Sequence, residues 1–340
     1  MNLIQKQDIN DFVASFTLGK ELQGSCFLIT GATGLIGSSL IHCLLALNKD
    51  IRIIAPVRNR VKAEKMFGDQ STNFRIVECD LSHCDYSDIG NIDYIIHCVA
   101  PTSSRFFVEY PVETFDIIYK GSFSLLEYAR RNPVKGFVYL SSLEVYGSVS
   151  DDSILIMEDY QGYIDPMSVR SSYPVAKRAV ECLCCSYASE YKVPVMIARL
   201  TQTTGAGIGA NDNRVIAQFA RLAAKGNDII LHTTGESARP YCYTMDCVTA
   251  ILFILLKGEA GSAYNVANEE TYISTYDMAC YLQEKFNPNI KVKIELDDSL
   301  GYAPVSKQRL STEKLRALGW KPRYCLFDIF TKLIQYLANE

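Results

Sequence analysis

The sequence predicts an α/β protein built on a doubly wound parallel sheet, and three observations support this. Short apolar runs recur along the first 200 residues, beginning with the run at 25–30. Runs of this kind suit strands that are buried on both faces of a parallel sheet. Helix-length segments separate the runs, an alternation that is typical of doubly wound folds. A glycine-rich turn at 31–37 joins the first predicted strand to the helix that follows it.

Composition narrows the classes of function. The chain has 340 residues and a formal net charge of −4, so no nucleic-acid partner is expected. Residues 1–24 carry several charges and no apolar core, which argues against a signal peptide. The longest apolar run, near 251–256, is too short to cross a bilayer, so no membrane partner is expected. These features predict a cytoplasmic protein.

The twelve cysteines lack the spacing of a disulfide framework or a metal site. Three of them crowd one helical turn at 182–185, and others lie in predicted strands (Cys26, Cys79 and Cys98). Free cysteine in such places behaves as a small buried hydrophobic residue. We therefore expect free thiols in a reducing compartment. The four histidines are scattered, so no metal is expected.

The first strand and its turn carry a cofactor signal. Residues 1–24 are expected to form a helical extension, and the strand at 25–30 then enters Gly-x-x-Gly-x-x-Gly before a helix through Leu47. In this context the glycines let the backbone approach a pyrophosphate at the helix N-terminus. We predict a Rossmann-type domain that binds NAD or NADP through this turn, with contacts from Gly31, Thr33, Gly34, Leu35, Ile36 and Gly37.

The second predicted strand, at 51–57, leaves the choice of cofactor open. An NAD site usually has an acidic residue at the end of this strand, whereas an arginine can accept the 2′-phosphate of NADP. Arg58 follows the strand, and Asp50 lies at its other end. We expect NAD, with NADP as the alternative if Arg58 contacts the cofactor. An arginine in this place is equally an ordinary surface charge.

Two further strands are expected at 74–79 and 94–98. Ligands of such sheets bind at the carboxyl ends of the strands. Asp80 and Leu81 follow the first of these strands and are expected at the adenine. Ala100 and Thr102 follow the second, and we expect Ala100 at the cofactor and Thr102 at the substrate.

The catalytic prediction rests on the segment 138–177. An apolar strand ends in Ser142, Glu144 follows, and Tyr173 and Lys177 lie four positions apart, so they share one face of a helix. A lysine ammonium beside a phenol lowers its pKa, and such a tyrosine can take a proton from a substrate hydroxyl. This chemistry suits removal of hydride from a carbinol beside a nicotinamide. Alone, however, this spacing more often marks a solvated helix face.

The sequence changes character after the strand expected at 195–200. A loop of turn residues at 205–213 precedes a helix at 214–225 and a short strand at 229–232. We therefore divide the chain into the extension at 1–24, a dinucleotide-binding domain at 25–200 and a smaller α/β lobe at 201–340. The last of these is expected mainly to bind substrate.

Taken together, these motifs resemble those of extended short-chain dehydrogenases/reductases of the nucleotide-sugar epimerase/dehydratase type. The resemblance covers nearly the whole chain after residue 24, with matching motifs at 31–37, 80–81, 141–147, 173–177, 198–199, 239–241 and 318–322. It implies that Tyr173 is the catalytic tyrosine, with Lys177 as its partner and ribose contact and Ser142 as a sugar contact. It also implies a tightly held NAD(P) that oxidises the sugar at C4 and later returns the hydride.

The resemblance also assigns substrate contacts. Arg239 resembles the arginine that holds the nucleotide diphosphate. Asn213 and Arg214 lie in a stretch similar to the substrate loop of UDP-glucuronate decarboxylases. Gln202 begins a segment that lacks the proline and arginine usual in this family, so this segment is expected to hold the nucleotide or sugar in a different way.

Glu144 bears on which reaction follows the oxidation. In the resembling families, glutamate here is typical of decarboxylases and 4,6-dehydratases, whereas 4-epimerases carry a small hydroxyl residue. The dehydratases that act on dTDP-glucose pair it with a preceding aspartate, which is Leu143 here. We therefore expect a decarboxylase first, a dehydratase second and a 4-epimerase third. A purely structural hydrogen bond by Glu144 and a catalytically inactive NAD(P)-binding sensor or scaffold are the alternatives.

The resemblance further implies a homodimer. The contact would be a four-helix arrangement of the helices predicted at 112–131 and 173–191. The apolar residues of these helices equally fit packing against the sheet.

Overall fold

The structure, a computed structural model, describes residues 1–68, 71–84, 86, 89–297 and 305–338. Its strands are β1 (Cys26–Thr30), β2 (Arg52–Val57), β3 (Phe74–Glu78), β4 (Tyr94–His97), β5 (Gly136–Ser142), β6 (Leu155–Ile156), β7 (Val195–Leu200), β8 (Gln202–Thr204), β9 (Ile229–Leu231), β10 (Ala238–Tyr243), β11 (Ala263–Val266), β12 (Asn268–Ser274), β13 (Val292–Ile294) and β14 (Arg309–Leu310).

Helices alternate with these strands. They are α1 (Leu3–Ser15), α2 (Leu35–Ala46), α3 (Arg60–Phe67), α4 (Ser104–Glu109), α5 (Pro111–Arg131), α6 (Ser172–Tyr191), α7 (Val215–Lys225), α8 (Thr244–Lys257), α9 (Thr275–Lys285), α10 (Glu313–Ala317) and α11 (Leu326–Leu337). Short 3₁₀ turns span Gly19–Leu22, Leu143–Tyr146 and Val169–Ser171.

The predicted parallel sheet is confirmed. Seven strands lie in the order β11-β7-β5-β4-β1-β2-β3, and each neighbouring pair is parallel. Side chains of β1 alternate between the two faces, as the strand period requires. Phe27 and Ile29 join a core with α2 and α8, whereas Leu28 joins a second core with α5 and α6. The sheet is therefore covered on both sides, which is why central strands such as β1 are buried along their whole length.

Smaller sheets lie beside this layer. One has the order β12-β10-β8, with β10 antiparallel to β12 and parallel to β8. Two parallel pairs, β13 with β9 and β14 with β6, complete the described strands. Strand β11 returns to the edge of the central sheet beside β7, so the last part of the chain also helps to build that sheet.

The N-terminal helix is attached to the C-terminal part of the chain. Asp8 of α1 is only 2% exposed, and it accepts hydrogen bonds from the Tyr243 hydroxyl at 2.5 Å and from Lys332 at 2.8 Å. Burial raises the pKa of Asp8, and the bond from Lys332 opposes that rise. The sequence predicted the helix but not this attachment.

The expectation that all cysteines are free is wrong at one pair. Cys79 and Cys84 form a disulfide, with Cα atoms 5.4 Å apart. A turn after β3, closed by the His83 N–H donating to the Asp80 carbonyl at 3.0 Å, brings the two residues together. The other ten cysteines are free.

Two whole-molecule features concern membranes and metals. Within the described residues, no helix combines the length and the apolar character needed to cross a bilayer. The same part of the chain contains no cluster of three or more histidine, cysteine or acidic side chains suited to a metal ion.

Candidate active site

The glycine turn after β1 forms a cradle that only glycine permits. Gly31 has φ of 66°, and a Cβ atom on Gly37 would lie 2.3 Å from the Gly31 carbonyl oxygen. Gly34 is the N-cap of α2, so the amide groups of the first helical turn point out of the cradle. Such a helix start favours the phosphates of a dinucleotide. The turn therefore fits the cofactor that the sequence predicted, and Thr33, Leu35 and Ile36 are partly accessible along it.

The ends of β2 and β3 lie side by side, as expected for an adenosine site. Arg58 is exposed after β2, and its positive charge acts on Asp80 after β3. The Asp80 carboxylate accepts the Ser82 N–H at 2.9 Å, and this bond is the main cause that lowers the pKa of Asp80. Leu81 is 8% exposed and packs beside Gly121 of α5. After β4, Ala100 is half-buried and Thr102 is exposed.

A neutral histidine lies inside the sheet beneath this region. The Thr30 hydroxyl lies 2.7 Å from His97 Nδ1, and His97 Nε2 lies 3.1 Å from the Ser122 hydroxyl. The Ser122 hydroxyl donates to the Ile118 carbonyl at 2.6 Å, so it accepts a hydrogen bond from His97 Nε2. His97 Nδ1 then accepts a hydrogen bond from the Thr30 hydroxyl. Burial lowers the pKa of His97 to about 3. This network braces β1, β4 and α5, and the sequence provided no signal for it.

The structure places Tyr173 and Lys177 together on the inner face of α6. They are 8% and 2% exposed. Lys177 Nζ donates to the Leu140 carbonyl at 2.6 Å and lies 4.7 Å from the ring centre of Tyr139 and 5.8 Å from that of Tyr173. Burial lowers the pKa of Lys177 to about 7, and the charge of Glu181 opposes this effect. The predicted helix face is therefore confirmed, but it is buried rather than solvated.

The expected lowering of the Tyr173 pKa by Lys177 is wrong in this structure. Burial and the nearby Glu144 charge raise the pKa of Tyr173, whereas a hydrogen bond with Ser142 and the charge of Arg170 lower it. The reason is geometric, since Lys177 lies against the faces of two aromatic rings and donates to a backbone carbonyl. Ser142, at the end of β5, is the neighbour that meets the phenol.

Glu144 belongs to a cluster that the sequence did not predict. Arg170 Nη2 lies 3.2 Å and 3.0 Å from the two carboxylate oxygens of Glu144. The Arg170 guanidinium lies 4.9 Å from the ring centre of Phe107, and that ring stacks on Tyr173 at 4.3 Å. We call Glu144, Arg170, Phe107 and Tyr173 the Arg170 cluster. An arginine three positions before the tyrosine was a visible signal, whereas Phe107 lies on α4 and had none.

A second arginine–glutamate pair fixes α6 to β7. Arg199 donates to Glu181 through Nε at 3.0 Å and Nη2 at 2.7 Å, and its Nη1 donates to the Tyr146 hydroxyl at 3.0 Å. Tyr146 donates in turn to Asn265 Oδ1 at 2.5 Å. Every member of this network is buried. The motif at 198–199 thus supports α6 structurally.

Three of the predicted substrate contacts come together at β8 and β10. Gln202 Oε1 is buried without a hydrogen-bond partner among the described residues. Arg214 Nη1 donates to the Thr203 carbonyl at 2.6 Å, and its other nitrogens bind Asp212. The charges of Arg239 and Arg214 both act on Tyr241, whose pKa is raised by burial. Asn213 is exposed next to Arg214.

A separate cleft lies away from these residues. It has a volume of about 590 Å³ and opens along 157–161 and the outer face of α6, with Arg178, Cys182 and Arg199 in its wall. None of the predicted site residues lines it. Its two arginines are already bound within the protein, since Arg178 donates to the Val145 and Gly162 carbonyls and Arg199 pairs with Glu181. The cluster around Tyr173 is therefore the better candidate for chemistry.

Comparison with known proteins identifies the family of this chain and several relatives. The sequence profile of the NAD dependent epimerase/dehydratase family matches residues 27–267. UDP-glucuronic acid decarboxylase 5 of Arabidopsis thaliana is 27% identical over 301 residues, which is 87% of this chain and 84% of that protein. UDP-glucuronic acid decarboxylase 1 of Danio rerio is 26% identical over 322 residues, or 92% and 72% of the two chains.

Solved structures show the same fold. UDP-glucose 4-epimerase of Thermotoga maritima, crystallised with UDP-glucose, has a TM-score of 0.79 at 21% identity, covering 92% of this chain and 99% of that one. The dTDP-glucose 4,6-dehydratase DesIV of Streptomyces venezuelae, with NAD bound, has a TM-score of 0.77 at 22% identity, covering 93% and 97%.

Proposed function

The chain belongs to the NAD dependent epimerase/dehydratase family, and on that premise we propose that it decarboxylates a nucleotide-linked uronic acid such as UDP-glucuronate. One observation carries the choice. Glu144 reaches the Tyr173 region, whereas Leu143 is 4% exposed and lies in an apolar cluster with Val145 and Tyr146. A dehydration needs an acid for the leaving C6 hydroxyl, and Leu143 supplies none. Loss of carbon dioxide needs no such acid.

Each of the predicted site residues has its own role in the proposed reaction. Ser142 holds the C4 hydroxyl against Tyr173, and Tyr173 takes its proton. Lys177 contacts the cofactor ribose, and Ser142 and the charge of Arg170 favour the phenolate of Tyr173. A bound nicotinamide would supply hydride chemistry at C4, as acceptor and later as donor. The glycine cradle, Arg58, Asp80, Leu81 and Ala100 hold the dinucleotide, and Thr102, Gln202, Asn213, Arg214 and Arg239 hold the nucleotide sugar.

The second step follows from the ketone at C4. A carboxylate on C5 is then β to a carbonyl, so the C5–C6 bond breaks and carbon dioxide leaves. The bonding electrons form an enolate across C4 and C5, and this enolate takes one proton at C5. Glu144 is the titratable side chain beside Tyr173 that can manage this proton.

A dehydratase is the second candidate. The same Glu144 carboxylate can take the C5 proton of a hexose as water leaves, giving a 4-keto-6-deoxy sugar. A 4-epimerase is third, because rotation of a keto sugar needs no carboxylate at this position. A sensor without chemistry would not require a buried Tyr173 and Lys177 on one face.

We propose NAD as the cofactor, with NADP as the alternative. Support for NAD comes from the family, whose named cofactor is NAD. Arg58 is a contrary feature, because it is exposed directly after β2, where an arginine can accept a 2′-phosphate. Measuring the Kd of both dinucleotides for wild type and Arg58→Ala decides the point, since NADP use predicts a loss of NADP affinity only.

We propose a homodimer through α5 and α6. Val112, Tyr119 and Phe123 are exposed along one side of α5, at 69%, 36% and 42%. Large apolar side chains grouped in this way mark association surfaces. Light scattering should give twice the chain mass for wild type and a lighter species for Phe123→Glu, with Ile230→Glu on an exposed strand as the control.

We also propose that the protein works in the cytoplasm. Ten cysteines are free, and several of them are exposed. Free thiols persist in reducing compartments. Fractionation of cells that express the tagged chain tests this location.

The function is tested by mass spectrometry of the purified protein with UDP-glucuronate, UDP-glucose, dTDP-glucose and GDP-mannose, without added coenzyme. The proposal predicts loss of carbon dioxide from UDP-glucuronate alone. Loss of water from a hexose would make the protein a dehydratase instead. Unchanged masses with an altered sugar NMR spectrum would make it an epimerase. Tyr173→Phe should strongly reduce turnover and retain cofactor binding, whereas a sensor would lose nothing.

A further inference from the structure

Arg170 already binds a carboxylate beside Tyr173. Its Nη2 atom contacts both oxygens of Glu144, at 3.2 Å and 3.0 Å. The two side chains are 36% and 32% exposed, so the pair opens to solvent. A guanidinium has five N–H donors in a planar fork. Since no other hydrogen bond of Arg170 is found in the described part of the chain, the remaining donors are available to a second acceptor.

Phe107 couples this guanidinium to the tyrosine. The ring of Phe107 contacts Arg170 at 4.9 Å and stacks on Tyr173 at 4.3 Å with an interplanar angle of 11°. Ser172 donates to the Phe107 carbonyl at 3.1 Å, which holds α4 against the start of α6. The charge of Arg170 also acts on the Tyr173 phenol. Arg170 is therefore placed at the reacting end of the tyrosine, not at the distant end of α6.

The chemistry of a uronate brings its carboxylate to this place. The C4 hydroxyl and the C6 carboxylate are carried by adjacent ring carbons, C4 and C5. A sugar that presents O4 to Tyr173 therefore presents its carboxylate to the neighbouring cluster. Two carboxylates that share a site repel each other unless a cation lies between them. Arg170 already contacts Glu144 and has further donors, so it is a cation that can lie between them.

We propose that Arg170 binds the C6 carboxylate of the substrate, and that the substrate displaces Glu144 from Arg170. This inference rests on the proposed function and names the group that the site recognises. A hexose has no carboxylate, so it leaves the Glu144–Arg170 pair closed. A uronate opens the pair, and the released Glu144 is then free to handle the proton at C5.

Calorimetry on the cofactor-loaded protein tests this exchange with UDP-glucuronate, UDP-glucose and UDP. Arg170→Gln should weaken UDP-glucuronate binding by about 10- to 100-fold, the usual range for a hydrogen bond to a charged group. Binding of UDP-glucose and UDP should stay unchanged. Arg170→Lys should restore part of the loss, because it keeps the charge without the planar fork.

Glu144→Gln distinguishes this exchange from a purely structural role of the Glu144–Arg170 pair, which would not predict tighter binding of the substrate. Removing the competing carboxylate should tighten UDP-glucuronate binding several-fold and leave UDP-glucose binding unchanged. Arg130→Gln is the matched control, since Arg130 is also 36% exposed, pairs with Glu127 at 2.9 Å and lies 5.0 Å from the Tyr191 ring. It should bind all three ligands as wild type does.

The outcomes separate the two proposals. If wild type decarboxylates UDP-glucuronate but Arg170→Gln keeps the same preference for it over UDP-glucose, this inference is overturned and the proposed function stands. Weaker UDP-glucuronate binding by Glu144→Gln would overturn the exchange in the same way. If wild type neither decarboxylates UDP-glucuronate nor prefers it to UDP-glucose, the proposed function itself fails.

Discussion

Two arginine–glutamate pairs flank helix α6, and they differ in their access to solvent. In the Arg199–Glu181 pair the side chains are 10% and 9% exposed, and two arginine nitrogens meet the carboxylate. In the Arg170–Glu144 pair they are 36% and 32% exposed, and one nitrogen makes the contact. The first pair joins α6 to β7, whereas the second lies beside Tyr173.

This difference in exposure suggests that one pair stabilises the fold, whereas the other can exchange its carboxylate for that of a ligand. Breaking a buried pair leaves a charge without compensation, which is strongly destabilising. An exposed pair contributes little, because solvent screens it and either partner is readily hydrated. A ligand carboxylate can therefore replace Glu144 at Arg170 but not Glu181 at Arg199. The weaker interaction is the one suited to recognise a substrate.

Replacement of Arg199 by Gln should have the largest effect on stability. Glu181 would be left buried and unpaired, so the free energy of unfolding should fall by about 3–5 kcal/mol. Denaturant unfolding of Arg199→Gln and wild type measures the change. A loss no greater than that of an exposed ion pair would contradict the division between the two pairs.

Tyr173→Phe should act on catalysis and leave stability almost unchanged. The phenyl ring can keep the stack on Phe107, while the proton acceptor is lost. We expect kcat to fall by about 10²- to 10⁴-fold, the usual contribution of general acid–base catalysis. Steady-state turnover and thermal unfolding of the same preparation measure both quantities. A parallel loss of stability would mean that the hydroxyl supports the fold instead.

Lys177 should make the free energy of unfolding depend on pH. Its folded pKa of about 7 lies below the ordinary value of about 10.4, because burial disfavours the charged form. Between these values the unfolded state holds a proton that the folded state lacks, so the contribution of Lys177 to stability rises with pH. Wild type should therefore gain stability relative to Lys177→Met from pH 7 to pH 9, as unfolding experiments at both values would show.

Glu181 and Glu144 should differ in this measurement. The charge of Glu181 raises the pKa of Lys177, whereas Glu144 is not among the charges that act on it. Glu144→Gln should consequently leave the pH dependence as in wild type. An altered dependence would show that the open pair also reaches Lys177.

Arg170→Gln should have the smallest effect on folding. The exposed pair is expected to contribute less than about 1 kcal/mol to the free energy of unfolding. Unfolding of this variant beside Arg199→Gln compares the two pairs directly. Equal losses of unfolding free energy in the two variants would contradict the view that Arg170 can exchange Glu144 for a ligand carboxylate.

Local sequence patterns predicted much of this site. The roles of Gly31 and Gly37 could be predicted because their backbone conformation depends on neighbours within one turn. The common face of Tyr173 and Lys177 could be predicted because helix geometry sets it. Phe107 was not predictable, since it meets Tyr173 only when α4 packs against the start of α6. The position of Lys177 against aromatic faces, which removed the expected effect on the Tyr173 pKa, is likewise a tertiary feature.

Long-range pairings were missed for the same reason. Asp8 and Lys332 lie at opposite ends of the chain, and no spacing rule connects them. Cys79 and Cys84 are close in sequence, but their bond depends on the turn that follows β3. Arg170 carried a signal only in its position before Tyr173, and no spacing rule connects it to its partner Glu144.

The most direct test of the account is turnover of UDP-glucuronate in deuterium oxide, with the product sugar analysed by NMR. Decarboxylation through a C4 ketone predicts loss of carbon dioxide, one deuterium at C5 from the enolate and an unexchanged hydrogen at C4. Release of water from a hexose, or a sugar altered only at C4, would contradict the account.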